Sequence, residues 1–81
     1  MTSQQELDGY EHGKTAGTWV FDGNTPQATY AAVLQGIEDG DPMVLDQLPQ
    51  PDPGSTEEYA LAFARGVEDE VTRAARAQLY D

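Results

Sequence analysis

His12 is the only histidine in the chain, and catalytic or metal chemistry would have to begin with it. Nucleophilic catalysis needs a serine, threonine or cysteine beside a base. The chain has no cysteine, Ser3 lies near the amino terminus, and we expect Ser55 to cap a helix. A zinc site needs three or four nitrogen or sulfur ligands. We therefore predict that the protein is not an enzyme and holds no metal and no cofactor.

Residues 13–15, Gly-Lys-Thr, match the end of a phosphate-binding loop. That loop also requires a glycine five positions before Gly13 and a strand leading into it. The position is Asp8, and no strand pattern precedes it. We therefore interpret Lys14 as a solvent-facing residue on a helical turn.

Two acidic turns, residues 22–24 and 38–41, have the composition of calcium-binding loops. Such a loop places oxygen ligands at its positions 1, 3 and 5. Counted from Asp22 the fifth position is Pro26, and counted from Asp39 it is Met43. Helix capping and turn formation explain both segments better than calcium binding does.

Net charge is the strongest compositional signal. Fifteen acidic residues face four basic residues, which gives a formal charge of −11. A field of this sign repels nucleic acid and anionic membranes and attracts basic partners. The alternative is that the acidic surface only keeps a small protein soluble.

No apolar run approaches the roughly 20 residues needed to span a bilayer, and we expect a cytoplasmic protein.

The acidic residues between 22 and 52 have no lysine or arginine among them. Glu38 and Asp39 lie at the predicted end of a helix, where the helix dipole disfavours negative charge. A local rule broken without visible compensation is often a sign of function. Our candidate binding residues are the following acidic side chains: Asp22, Glu38, Asp39, Asp41 and Asp46. An acidic surface without a binding role remains an equal alternative.

The elements that would position these residues are helices. Apolar residues at helical spacing predict a first helix over residues 3–21, interrupted by Gly9, Gly13 and Gly17. Glycines four positions apart share one helix face, where another helix can approach closely. In the alternative, the helix breaks early and residues 19–21 are extended. The turn at residues 22–24 then ends the helix, with Gly23 free to adopt positive φ.

The second and third helices have clear start and stop signals. Thr25 and Pro26 suit the start of the second helix, and Gly40 its end. Its predicted buried face comprises Tyr30, Val33, Leu34 and Ile37. Asp41 and Pro42 then begin a short third helix.

A stiff proline-rich connector over residues 49–54 precedes the last helix. Ser55 and Glu58 have the spacing of a capping box, which predicts a helix from Thr56 to about Leu79. On its apolar face Ala62 and Gly66 are small enough to meet the glycines of the first helix. We therefore predict one all-α domain over residues 1–81, a small bundle whose two long helices pack antiparallel beside a third helix and a short one.

Several segments together carry a resemblance to known proteins. They are WVFDGNT at 19–25, Thr29-Tyr30, the run from Val33 to Pro42, Leu45-Asp46 and Leu48-Pro49. In these segments the chain resembles a group of small uncharacterised proteins of actinobacteria and their phages. The likeness covers about residues 6–49, and more loosely residues 59–79. Those proteins are longer after the proline segment, so a function housed in their extra stretch would be missing here. The group has no known activity, and the resemblance therefore implies a common origin and a helical fold.

Charge and composition lead to two functional hypotheses. In the first, a non-catalytic acidic protein binds a basic protein surface, and its carboxylates imitate nucleic-acid phosphates. The partner would be a nucleic-acid-binding host protein, and the chain a regulator or inhibitor of phage or host origin. In the second, a structural or adaptor protein self-associates through an apolar helix face.

Overall fold

The computed structural model describes residues 3–80, and within them the chain forms four helices and no strand. The helices are α1 (Gln4–Thr18), α2 (Gln27–Asp39), α3 (Pro42–Leu45) and α4 (Glu57–Tyr80). The all-α prediction is confirmed, as is the pairing of the two long helices, α1 and α4. None of the helices between residues 3 and 80 combines the length and apolar character needed to cross a membrane.

The first helix is shorter than predicted. Ser3 caps α1 by accepting a hydrogen bond from the Glu6 N–H at 3.1 Å. The helix ends at Thr18, where the Trp19 N–H bonds back to the last turn. Trp19 has φ −92° and ψ 0°, so the segment after Thr18 begins neither as helix nor as extended chain. The turn delivers Val20 and Phe21 to the core, and this burial outweighs continuation of the helix.

The start of α2 differs from the prediction, whereas its end agrees. Pro26 occupies the N-cap position, and no side chain caps the helix. The Thr25 hydroxyl instead binds Asp22 within the preceding turn. Gly40 closes α2 in the left-handed region with φ 68°, a conformation that glycine adopts without steric cost. It is the only glycine with positive φ in the part of the chain that is described, so Gly23 does not use the conformational freedom noted from sequence.

Both short-range caps that follow are made by side-chain oxygens. Asp41 caps α3 by accepting from the Met43 N–H at 3.0 Å, with Pro42 in the first turn, as predicted. α4 begins one residue later than expected, at Glu57. Thr56 therefore takes the capping role assigned to Ser55, and its Oγ1 accepts from the Tyr59 N–H at 3.2 Å.

The two long helices run parallel, so the antiparallel prediction was wrong. Their contacts advance together along both chains: Gly9 meets Tyr59, Gly13 meets Phe63, and Gly17 meets Val67. α2 runs back toward the start of the bundle, with Gln27 near Gln78 and Ile37 beside Arg65. Two reversals of direction lie between α1 and α4, and two reversals restore the original direction.

The seam between α1 and α4 is made of glycines whose backbones touch the partner helix. A methyl group on Gly13 would lie 2.9 Å from the Phe63 carbonyl carbon and closer still to its oxygen. One on Gly66 would lie 2.9 Å from the Lys14 nitrogen. Gly9 and Gly17 approach α4 in the same way, and Ala62 faces Gly9. The five predicted packing residues therefore lie along one contact between the two helices.

The core lies on one side of this helix pair. Val67 and Val71 of α4 are almost completely buried, with Phe63 and Leu48 beside them. A second cluster joins Tyr30 and Leu34 of α2 to Ala75. The predicted apolar face of α2 is confirmed, since Tyr30 and Leu34 are buried and Val33 and Ile37 pack against the first cluster.

Candidate functional site

Four of the five predicted binding residues lie close together in the chain where α2 meets α3. We call this set, Glu38, Asp39, Asp41 and Asp46, the acidic corner. The left-handed turn at Gly40 and the Asp41 cap place all four side chains in solvent. A Val44 side chain packed over Gly36 holds α3 against α2, which makes the corner a compact unit.

Three of the corner carboxylates have a partner within the fold. Asp39 accepts from the Gln35 amide at 2.9 Å, and Asp41 caps α3. Glu38 faces Arg76, with Oε1 and Nη2 separated by 3.5 Å. The charge of Glu38 is therefore compensated across the bundle, contrary to the interpretation from sequence. About half of the Glu38 side chain and more of Arg76 remain exposed, so the pair contributes well under about 1 kcal/mol.

Asp22 does not belong to the corner. It lies in the turn between α1 and α2, where its Oδ1 accepts from the Asn24 N–H at 2.8 Å. The 13 residues of α2 correspond to about 20 Å of helix between this turn and the corner. The predicted binding segment is thus divided between two ends of one helix.

A second acidic surface was not predicted from the sequence. Because α1 and α4 are parallel, their amino-terminal ends lie side by side: the Ser3 hydroxyl donates to Glu58 at 3.1 Å, and Thr56 donates to Gln5. We call Glu6, Glu57 and Glu58 at this end the helix-start cluster. Carboxylates in a first helical turn are stabilised by the helix dipole. First-turn acids are recognisable in sequence, but their grouping depends on the relative direction of the two helices.

Glu70 is the buried charged residue among residues 3–80, and its side chain lies against Gly17 at the seam between α1 and α4. Arg73, three positions along the same helix, binds it through two contacts of 2.5 and 3.1 Å. The hydrogen bond from Arg73 lowers the pKa of Glu70, against the opposing effect of burial. Asp69 accepts from the Tyr10 hydroxyl at 2.7 Å, and this bond raises the pKa of Tyr10. The first interaction lies within α4, and the second joins α1 to α4.

The residues considered for chemistry have structural partners as well. His12 Nδ1 lies 2.6 Å from the Tyr59 hydroxyl, a contact that joins α1 to α4. Gly13, Lys14 and Thr15 lie inside α1, so their backbone N–H groups cannot form a phosphate loop. Between Ser3 and Tyr80 there is no group of three histidine, cysteine, aspartate or glutamate side chains suited to hold a metal ion.

The acidic corner and the helix-start cluster are therefore two negatively charged surfaces of the described chain. Both consist mainly of exposed carboxylates on helix ends, an arrangement suited to contact with positively charged groups. Comparisons with protein families, curated proteins and solved structures give no match to this chain.

Proposed function

We propose that the protein is a non-catalytic acidic protein that binds a positively charged macromolecular surface. The observation that carries the proposal is the excess of negative charge, −11 in 81 residues, carried by carboxylates of which only Glu70 is buried among those described. Such a field accelerates encounter with basic partners and discourages contact with acidic ones.

The basic partner that fits this surface is a nucleic-acid-binding site. A nucleic-acid strand presents a row of closely spaced phosphate charges, which groups of neighbouring carboxylates can imitate. Both the acidic corner and the helix-start cluster carry their carboxylates at helix ends. Occupation of a nucleic-acid site by these carboxylates would make the protein an inhibitor or regulator, of phage or host origin.

Capture followed by displacement tests this function. The immobilised protein is exposed to an actinobacterial lysate at low and high salt, and the retained proteins are identified. Each is then loaded with labelled DNA and titrated with the free protein. We expect displacement of DNA that weakens steeply as salt rises, because the contacts are ionic. Failure to displace DNA from any retained protein at low salt would refute phosphate mimicry.

Two charge-neutralised variants locate the responsible surface. Asp39→Asn with Asp46→Asn removes two charges from the acidic corner and leaves the Asp41 cap intact. Glu57→Gln with Glu58→Gln removes two charges from the helix-start cluster. Since both variants change net charge equally, a selective loss in one of them identifies the binding surface and separates it from a general effect of charge.

A structural or adaptor role is a second candidate, favoured by exposed apolar side chains. Trp19 is 81% exposed and Met43 74%. Self-association through such residues would give a mass that rises with concentration and is insensitive to salt, as measured by sedimentation equilibrium. The acidic-binding proposal instead expects a monomer, because copies of charge −11 repel one another at low salt.

A further inference from the structure

A groove of about 390 Å³ runs between α1 and α4, and every residue lining it belongs to these two helices. Leu7 and Leu61 form its walls, with Ala62 between them. Leu61 is two residues from the buried Phe63, about 200° around the helix. The groove therefore lies on the side of the helix pair facing away from the core.

The apolar walls of the groove are exposed, and neither leucine packs into the core of the protein. Leu7 is 49% exposed and Leu61 65%. One exposed leucine is ordinary on a small protein. Here one leucine from each of two neighbouring helices borders the same depression, beside the close approach of the helices at Gly9.

Charges at the two ends of the groove specify its occupant. Glu6 and Glu58 lie at the end nearest the helix starts, and Arg65 lies at the opposite end. The Ser3 hydroxyl holds the Glu58 carboxylate in place. An apolar floor with carboxylates at one end matches a segment that presents apolar side chains flanked by lysine or arginine.

We propose that this groove binds an amphipathic helix of a partner protein, with apolar residues of that helix between Leu7 and Leu61 and its basic residues beside Glu6 and Glu58. This inference rests on the proposed function, since it specifies where the basic partner is bound. It also adds an apolar component, which pure phosphate mimicry lacks. Helix-in-groove recognition uses this combination of apolar anchors and flanking charge.

A second copy of the chain does not suit the groove. Each copy carries a formal charge of −11, so two copies repel one another. Stable interfaces bury about 800 Å² per partner. A single pair of partly exposed leucines supplies only a small part of that area, so charge complementarity with a basic helix decides between the two occupants.

Fluorescence anisotropy with two labelled peptides tests the groove. The first peptide is a helix with leucines on one face and lysines on the other, and the second has the same lysines with serines in place of the leucines. We expect the first to bind at least about tenfold more tightly at low salt. Leu61→Gln should weaken its binding about tenfold, and Glu58→Gln should weaken it and reduce its salt dependence. Met43→Gln, at an equally exposed leucine-sized residue outside the groove, should change binding less than about twofold.

The outcomes separate the groove from the proposed function. Equal binding of both peptides, lost only when Asp39 and Asp46 are neutralised, overturns the groove and leaves acidic recognition intact. If neither peptide binds, both the groove and the proposed acidic binding function are overturned. A concentration-dependent dimer that Leu61→Gln dissociates would assign the groove to a second copy and overturn the proposal. Circular dichroism of each variant checks that the helices persist. We expect them to persist, because leucine, glutamate and glutamine are all good helix formers.

Discussion

The seam between α1 and α4 and the acidic corner between α2 and α3 are stabilised in different ways. In the seam, Gly13 and Gly66 bring two backbones into contact, and the tightest neighbours are carbonyl groups that cannot move aside. In the corner, Asp39 and Glu38 meet flexible side chains in solvent. The seam therefore depends on shape and the corner on weak, screened charge, which leaves the corner free to exchange its partners for others.

Substitution of Gly13 should have the largest effect, because it tests the backbone contact directly. A methyl group there meets the Phe63 carbonyl at 2.9 Å or less. We expect Gly13→Ala to lower the free energy of unfolding by about 3 kcal/mol despite the better helix propensity of alanine. Urea denaturation followed by circular dichroism measures the change. Gly23→Ala is the control, since a methyl group there meets nothing within 4 Å. Equal stability of the two variants would contradict a rigid seam.

Gly36 offers the corresponding test of the contact between α2 and α3 that supports the acidic corner. A methyl group on Gly36 would lie 2.6 Å from Cβ of Val44, a side chain on the four-residue helix α3. Because α3 can shift, we expect Gly36→Ala to cost about 1.5 kcal/mol in the same denaturation experiment. Gly36→Ala combined with Val44→Ala should recover most of that loss. A cost equal to that of Gly13→Ala would show that the corner is as rigid as the seam.

The Glu70–Arg73 pair predicts a pH dependence in the seam. Arg73 lowers the pKa of Glu70 in the folded state, so the pair stabilises the fold above the unfolded pKa, and this contribution is lost as pH falls through the folded value. Glu70→Gln should cost about 1 kcal/mol near neutral pH, a modest effect because Arg73 is two-thirds exposed. Its stability should converge with that of the parent protein in acid. Asp46→Asn, at an exposed corner residue, provides the comparison, and a difference that grows in acid would refute the assigned sign.

The Glu38–Arg76 pair should give the smallest effect. Both side chains are about half exposed or more, so we expect a coupling of about 0.3 kcal/mol at low salt and none at high salt. A double-mutant cycle with Glu38→Gln and Arg76→Gln measures it. A coupling above about 1 kcal/mol would mean that the acidic corner is held as firmly as the seam and is less available to a partner.

Features set by neighbouring residues followed from the sequence. The Asp41-Pro42 start of α3 and the Gly40 end of α2 are local events, since a cap needs only a side chain and the N–H groups two or three residues away. The four-residue spacing of Gly9, Gly13 and Gly17 likewise places them on one helix face, because helix geometry is nearly invariant. The prediction of the cap of α4 was less exact, because the adjacent residues Ser55 and Thr56 are both able to cap a helix and only Thr56 does so.

Features that join distant parts of the chain were decided by the tertiary structure. The parallel direction of α1 and α4, the grouping of Glu6 with Glu58, and the pairing of Glu38 with Arg76 all depend on how α2 folds back. Composition established that the chain is strongly acidic, and the spacing of its apolar residues indicated that it is helical. Where those charges gather, and which leucines are left exposed beside them, depends on packing in three dimensions, because no local rule records which helix becomes the neighbour of another.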